Sequence, residues 1–266
     1  MSSLLWPYRS PGEHEAVAAI IRRRSSNRQD VREAALNGLD LAAVRSVLDL
    51  GCGYGFMAEV LAQRVAPDAK IVGVDAWESN EPAFLERVGA AGREASFVRM
   101  RIGHELPFED HSFDLVSCCY SLYFFAGILP EVARVLTREG LLLAITHTED
   151  SVAGQLPEAG FGKAATRLRS LTRKFSAENG RGQLEKCFGE VTRIDYRNRL
   201  RFGPDHADDL LVYLRFKLPF LVPNCEHGDD LPVELARYAT EALARDGGLV
   251  ISKDDAVFRC RSPLCR

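Results

Sequence analysis

Between Arg45 and Thr148 the chain alternates short apolar runs with amphipathic stretches. The runs "SVLDL" (46–50), "KIVGVD" (70–75), "ASFVRMR" (95–101), "SFDLVSCCY" (112–120) and "LLLAITH" (141–147) read as strands. They are nearly continuous in apolar character, so both faces are expected to be covered, as in a parallel sheet flanked by helices. The stretches between them have helical spacing. In "FMAEVLAQRV" (56–65), Met57, Val60, Leu61 and Val65 share one side. "EPAFLERVGAAG" (81–92) carries Pro82 in its first turn and Gly92 past its end. "GILPEVARVLTREG" (127–140) predicts a helix closed by Gly140.

Outside this core the pattern changes. Residues 13–44 predict helix, with a break near "RRRSSNRQD" (22–30) and apolar faces at Val17, Ile20, Ile21 and at Val31, Ala34, Ala35, Leu36. After Asp150, "KAATRLRSLTRKF" (163–175) predicts an amphipathic helix with Ala164, Leu168, Leu171 and Phe175 inward. "ADDLLVYLRF" (207–216) and "PVELARYATEALA" (232–244) predict two more helices. "EVTRIDYRNRLRF" (190–202) alternates like a strand, and "GLVISKDDAVFRCR" (248–261) reads as a hairpin or one long bent strand. The expected organisation is one domain over residues 1–266: a helical N-terminal cover (1–44), a core (45–150) and a C-terminal elaboration (151–266).

Composition adds boundaries. A hydrophobic share of 46% and a charged share of 27% suit a globular chain. The formal net charge of -3 argues against a general nucleic-acid binder. Seven cysteines without a C-x-x-C pair suit reduced thiols better than a disulfide framework or a zinc site, and no tight His/Cys/carboxylate spacing compels a metal, so no metal ligand is assigned and metal dependence stays open. "MSSLLWPYRSPGEHE" has no basic region ahead of an apolar run, and no stretch approaches ~18 apolar residues. A cytoplasmic protein without a membrane segment is the resulting expectation.

The chemistry concentrates in "VLDLGCGYG" (47–55). A strand ends, the chain turns, a helix begins, and Gly51, Gly53 and Gly55 let backbone approach a ligand. A dinucleotide fingerprint would need glycine at position 56, where Phe56 stands. Asp49 places negative charge at the mouth, which repels a pyrophosphate and welcomes a sulfonium or ammonium. Asp75 ends the second strand twenty residues beyond Gly55, a position suited to a ribose diol.

On these residues the sequence resembles the class I S-adenosylmethionine-dependent methyltransferases, in particular their small-molecule branch. "VLDLGCGYG" looks like the family's first motif and Asp75 like its ribose-binding acid. "ELPFEDHSFDLVSCCYSLYFF" (105–125) and "EVARVLTREGLLLAI" (131–145) are similar to the stretches that follow. The resemblance implies a Rossmann-like α/β fold with an open seven-stranded, mostly parallel sheet, helices on both faces, and S-adenosyl-L-methionine as cofactor. It implies that Asp49, Gly51, Cys52 and Gly53 surround the methionine part, that Asp75 holds the ribose, and that Ala76 and Trp77 flank the adenine. It also implies that Cys119 offers its carbonyl to the methionine amine. Where the family often carries an acid against the adenine amino group, this chain has Ile102 and Gly103, which leaves that contact to backbone and apolar packing.

The expected activity is in-line methyl transfer to a small organic acceptor, in which placement supplies most of the acceleration. An NAD-dependent oxidoreductase and a non-catalytic S-adenosylmethionine-binding protein are the alternatives. His147, at the carboxyl edge of the fifth strand, is the candidate general base, with Glu149 and Asp150 near enough in sequence to orient it or to bind a cation. Tyr120 and Tyr123 are candidates for the acceptor pocket. Tyr8 and Arg9 are candidates for a lid over the cofactor. Residues 161–201 hold eleven Lys or Arg against four Asp or Glu, which leaves an anionic acceptor and a solvated helix face both open. Nucleic-acid and membrane partners are not expected.

Overall fold

The computed structural model describes residues 3–151, 153–155, 162–221, 231–245 and 248–264. In chain order its elements are α1 (Pro11–Arg24), α2 (Val31–Leu36), β1 (Ser46–Leu50), α3 (Ala58–Ala62), β2 (Lys70–Asp75), α4 (Glu81–Ala90), β3 (Glu94–Arg99) and β4 (Phe113–Cys119). There follow α5 (Leu122–Phe125), α6 (Leu129–Val135), β5 (Leu136–His147), α7 (Gly162–Thr172), α8 (Gly180–Leu184), β6 (Phe188–Tyr196) and β7 (Arg199–Phe202). The series closes with α9 (Ala207–Leu221), α10 (Val233–Leu243), β8 (Leu249–Ser252) and β9 (Asp255–Pro263).

Seven strands form one sheet in the order β3-β2-β1-β4-β5-β9-β6. The five from β1 to β5 are parallel, and β9 and β6 add antiparallel. This is the α/β, Rossmann-like sheet expected. Successive residues of each central strand enter opposite layers, as the period of two demands. Val47, Leu115, Leu143 and Val257 join one core with Leu61, Phe84 and Val88. Their neighbours Leu48, Val116, Leu142 and Phe258 join another with Ile128, Val132 and Phe175. Helices therefore cover both faces, and the apolar continuity of the strands has its cause.

The break expected in the N-terminal helical stretch falls at residues 25–30, where Asp30 caps α2 through the Arg32 N–H, and helix ends at Leu36 instead of running to residue 44. Other elements differ more from expectation. α3 is short, although Met57, Val60, Leu61 and Val65 are all buried as a group. α6 ends at Val135 instead of Gly140. Leu136 turns extended and pairs with Phe113, so strand pairing overrides the helical period of "LTREG". In α7, Ala165 is buried, Leu168 and Leu171 are half-buried, and Phe175 is fully buried beyond its end; the Ala164 side chain lies outside the described residues.

The two β-rich segments near the end form one antiparallel ribbon that bends from sheet to sheet. β6 pairs with β9 up to Tyr196↔Asp255, and β7 pairs with β8 from Arg199↔Ser252 onward. At the bend, the Asn198 N–H donates to Asp254 Oδ1 at 2.8 Å and the Lys253 N–H to the Asn198 carbonyl at 3.1 Å. "GLVISKDDAVFRCR" is thus a long bent strand, and its bend carries Lys253, Asp254 and Asp255. Beyond the bend, Leu200, Phe202, Leu249 and Ile251 pack with Val17 and Ile20 of α1 and with α9 and α10 in a third apolar cluster. Arg23 and Arg24 of α1 both bind Asp209 of α9. Among the described residues no helix is long and apolar enough to cross a membrane.

Candidate functional site

The strand order reverses between β1 and β4, and a cavity of about 390 Å³ opens beyond their carboxyl ends. Asp49, Gly51, Cys52, Gly53, Asp75, Ala76, Trp77, Ile102, Cys119, Tyr120 and His147 all line it. Gly103 and Tyr123 are not among the lining residues.

The glycine loop is built on left-handed backbone: φ is 70° at Gly51, 52° at Gly53 and 92° at Gly55. At Gly51 a Cβ would also sit 2.6 Å from the Ser121 Cβ. Only glycine fits both conditions. Asp49, 2% exposed, accepts from Ser117 Oγ at 2.7 Å through Oδ1, while its Oδ2 has no hydrogen-bond partner. Burial pushes the Asp49 carboxyl up to about 7, and Asp75 adds to the effect. A buried carboxylate oxygen without a donor, at a cavity wall, fits a cationic ligand. Asp75 accepts from the Trp77 N–H at 2.8 Å, the Gly53 N–H at 3.0 Å and Asn80 Nδ2 at 3.2 Å. It ties the glycine loop to β2, and a carboxylate with three donors keeps lone-pair capacity for one further hydroxyl.

An N-terminal strap crosses this end of the cavity. Trp77 Nε1 donates to the Leu5 carbonyl at 3.0 Å, Asn80 Nδ2 to the Tyr8 carbonyl at 3.2 Å, and Ser79 Oγ to the Arg9 carbonyl at 2.5 Å. The Tyr8 and His14 rings meet edge to face at 5.0 Å, and both line the cavity. Burial lowers the His14 pKa to about 3, with Lys217 contributing.

His147 belongs to a second group of side chains on the cavity wall. Its Nδ1 lies 2.6 Å from Asp255 Oδ1. Lys253 Nζ donates to Asp255 Oδ2 at 2.7 Å and Oδ1 at 3.1 Å, and the Tyr120 hydroxyl donates to Oδ2 at 2.8 Å. Burial opposes ionisation of Asp255, yet Lys253 and His147 hold it below the usual carboxylate range. Burial and then Lys253 lower His147 to about 4, so it is neutral near pH 7. An ionised Asp255 accepts, so Nδ1 carries the proton and Nε2 keeps a free lone pair. Tyr120 sits at φ 58° in the turn after β4, and its ring stacks on His147 at 4.6 Å. Strained backbone is thus used to aim this side chain. Tyr123, 4% exposed, backs the imidazole at 6.0 Å and shares a hydrogen bond with Tyr8.

Glu149 and Asp150 do not orient His147. They pair with Arg173 and Arg169, and Asp255 takes the role from β9. The basic excess over 161–201 is largely paired too: Arg181 with Glu185, Arg193 with Asp195, Arg197 and Arg199 with Asp254. Of that stretch only Lys174 and Leu171 are among the lining residues. Residues missed in the sequence are Asp255, Lys253, His14 and Lys217. The one available signal was "KDD" (253–255), a charged triplet interrupting an apolar alternation. Cys118 is buried and Cys119 half-buried, and both thiols are pushed well up by burial, which suits inert packing. No cluster with metal-ligand character occurs among the described residues.

Residues 48–144 match the methyltransferase domain family. The chain is 28% identical over 126 residues to a demethylmenaquinone methyltransferase of Bacillus cytotoxicus, covering 46% of this chain and 53% of that protein. It spans about half the length of that curated relative. In three dimensions it is similar to a protein of Bacillus halodurans C-125 assigned as a methyltransferase, with TM-score 0.57, 20% identity, and coverage of 88% and 99% of the two chains. A SAM-dependent methyltransferase of Thermotoga maritima follows at TM-score 0.52 and 18% identity, covering 98% and 99%.

Proposed function

We propose that this chain, whose residues 48–144 match the methyltransferase domain family, is a class I S-adenosylmethionine-dependent methyltransferase that transfers a methyl group to a small organic acceptor whose nucleophilic atom gives up a proton to His147. The observation that carries this reading is the meeting of two groups in one cavity: the Asp49 and Asp75 loops, and the His147–Asp255 pair.

S-adenosylmethionine, when bound, supplies an electrophilic methyl on a sulfonium. Gly51, Cys52 and Gly53 would hold its methionine part by backbone, Asp49 its positive charge, and Asp75 its ribose. Ala76, Trp77 and Ile102 would flank its adenine, with the Cys119 carbonyl toward the amine. The remaining steps belong to the chain's own side chains. Asp255 fixes the His147 tautomer, leaving Nε2 to accept a proton from the acceptor. The ammonium of Lys253, beside His147, favours an acceptor atom that has lost its proton. Tyr120 and His147 form one wall against which an apolar acceptor body can lie, with Tyr123 behind them. The strap at Leu5–Arg9 excludes water from the cofactor end.

The test is methyl transfer from isotopically labelled S-adenosylmethionine to fractionated small-molecule extracts, beside calorimetric titration with S-adenosylhomocysteine. Label in a low-molecular-weight product, abolished by excess S-adenosylhomocysteine, is the expected result. Binding without label in any fraction would reduce the protein to a cofactor-binding module.

A further inference from the structure

Lys217 lies on α9 and lines the same cavity as His147 and Lys253. Lys253 has its counter-ion in Asp255. Lys217 forms no ion pair among the described residues; its ammonium lies instead over the rings of Phe216, Phe220 and Tyr213 at 5.6, 5.7 and 5.9 Å. Burial and then Lys253 lower its pKa to about 8, which still leaves it largely charged at neutral pH. A half-buried ammonium that lies over aromatic faces, with no counter-ion among the described residues, gains from a ligand that brings the missing charge.

The charges around it do not supply that balance. His14 and His147 are neutral near pH 7, and Asp255 is already matched by Lys253. Asp49 and Asp75 belong to the end that suits a cationic cofactor. Arg101 and Lys174 line the cavity as well, so it carries more positive charge than its acids balance, and Lys217 shares its wall with Val17, Ile21, Phe124 and Phe216. A single ammonium among rings suits one carboxylate. A phosphate ordinarily recruits several donors, such as a guanidinium fork, and Lys253, which acts on Lys217, is already committed to Asp255.

We infer that Lys217 anchors a carboxylate of the methyl acceptor, so that the substrates are small organic acids with an apolar or aromatic body. This assignment rests on the methyltransferase reading above. It makes Lys217 the specificity-determining residue of the acceptor site.

The experiment uses the full chain saturated with S-adenosylhomocysteine and matched probe pairs: 4-hydroxybenzoate and 4-hydroxybenzyl alcohol, and indole-3-acetate and indole-3-ethanol. Calorimetry is expected to give at least tenfold tighter binding for the acid of one or more pairs. Lys217→Met should remove that preference while S-adenosylhomocysteine still binds, and Lys217→Arg should restore it. Equal binding of acids and alcohols, no binding of any acid, or a preference that survives Lys217→Met would each overturn the assignment. Should Lys217→Met fail to fold, Lys217→Gln replaces it, and the wild-type comparison alone still decides against the idea if no acid is preferred. Failure of S-adenosylhomocysteine itself to bind would overturn the methyltransferase reading, and this inference with it.

Discussion

Asp255 holds His147 through a 2.6 Å contact, although 108 residues separate them in the chain. The contact exists because β9 runs antiparallel beside β5, with Asp255 in register with His147. On that arrangement His147→Ala is expected to lower kcat by roughly 10²–10⁴-fold, the range for loss of a general base. Affinity for S-adenosylhomocysteine should be retained. Asp255→Asn should lower kcat and also stability, by about 3–5 kcal/mol, because it strips Lys253 of its buried counter-ion. Steady-state kinetics beside denaturant unfolding separates the two effects; full turnover in His147→Ala removes the base assignment.

The strap makes its own prediction. Deleting residues 1–12 removes the Leu5, Tyr8 and Arg9 carbonyls that bind Trp77, Asn80 and Ser79. The dissociation constant for S-adenosylhomocysteine should rise at least tenfold by calorimetry. An unchanged constant would mean that the strap is only a structural cover.

Two glycines should respond oppositely to alanine. A Cβ at Gly73 would lie 2.6 Å from the Phe84 ring and 2.8 Å from Cys52 Sγ, so Gly73→Ala should cost about 1–3 kcal/mol by overpacking. At Gly89, inside α4, a Cβ meets nothing within 4 Å, and Gly89→Ala should add roughly 0.5–1 kcal/mol through helix propensity. Urea unfolding of both variants measures the contrast.

The two buried histidines should contribute an acid-sensitive share of the stability. His14 and His147 titrate at about 3 and about 4 in the folded chain, against an ordinary 6.5. Between 6.5 and 4 these two groups bind more protons in the unfolded chain, so their contribution falls as pH is lowered through that window, while Asp49, held up to about 7, contributes in the opposite sense. Below about 4 His147 is protonated in both states and adds no further loss. His14→Phe should flatten the slope measured by thermal unfolding from pH 7 to 4.5; a slope equal to wild type would show that His14 is not desolvated.

Cofactor affinity should carry its own pH dependence. Asp49 titrates near 7 when nothing cationic is beside it, and a sulfonium or ammonium favours its charged form. Binding of S-adenosylmethionine should therefore release a proton and weaken as pH falls from 8 to 6. Asp49→Asn should bind weakly with little dependence on pH across that range, by calorimetry in buffers of different ionisation heat.

The sequence disclosed what is local. β1 to β5 were legible because each central strand is buried on two sides, leaving apolar runs of strand length. The glycine loop, Asp49 and Asp75 were legible because strand, turn and acid follow one another within thirty residues. Alternation of period two, by contrast, marks a strand without naming its partner. It did not show that Tyr196 and Arg199 enter different sheets, nor where "GLVISKDDAVFRCR" bends. The acceptor end suffered for the same reason. His147 was visible at a strand edge, but Asp255, Lys253 and Lys217 reach it from β9, the ribbon bend and α9. Nearness in sequence pointed to Glu149 and Asp150, and Arg173 and Arg169 draw both away.

Because β9 sits between β5 and β6, the sheet cannot be zipped in the order in which it is synthesised. During translation the outer edge of β5 waits unpaired for more than a hundred residues, and β6 emerges with no neighbour to accept it. The proton-handling side of the pocket is consequently assembled last. A nascent chain halted before Lys253 would have the cofactor half of its machinery and none of the counter-charge that organises the other half.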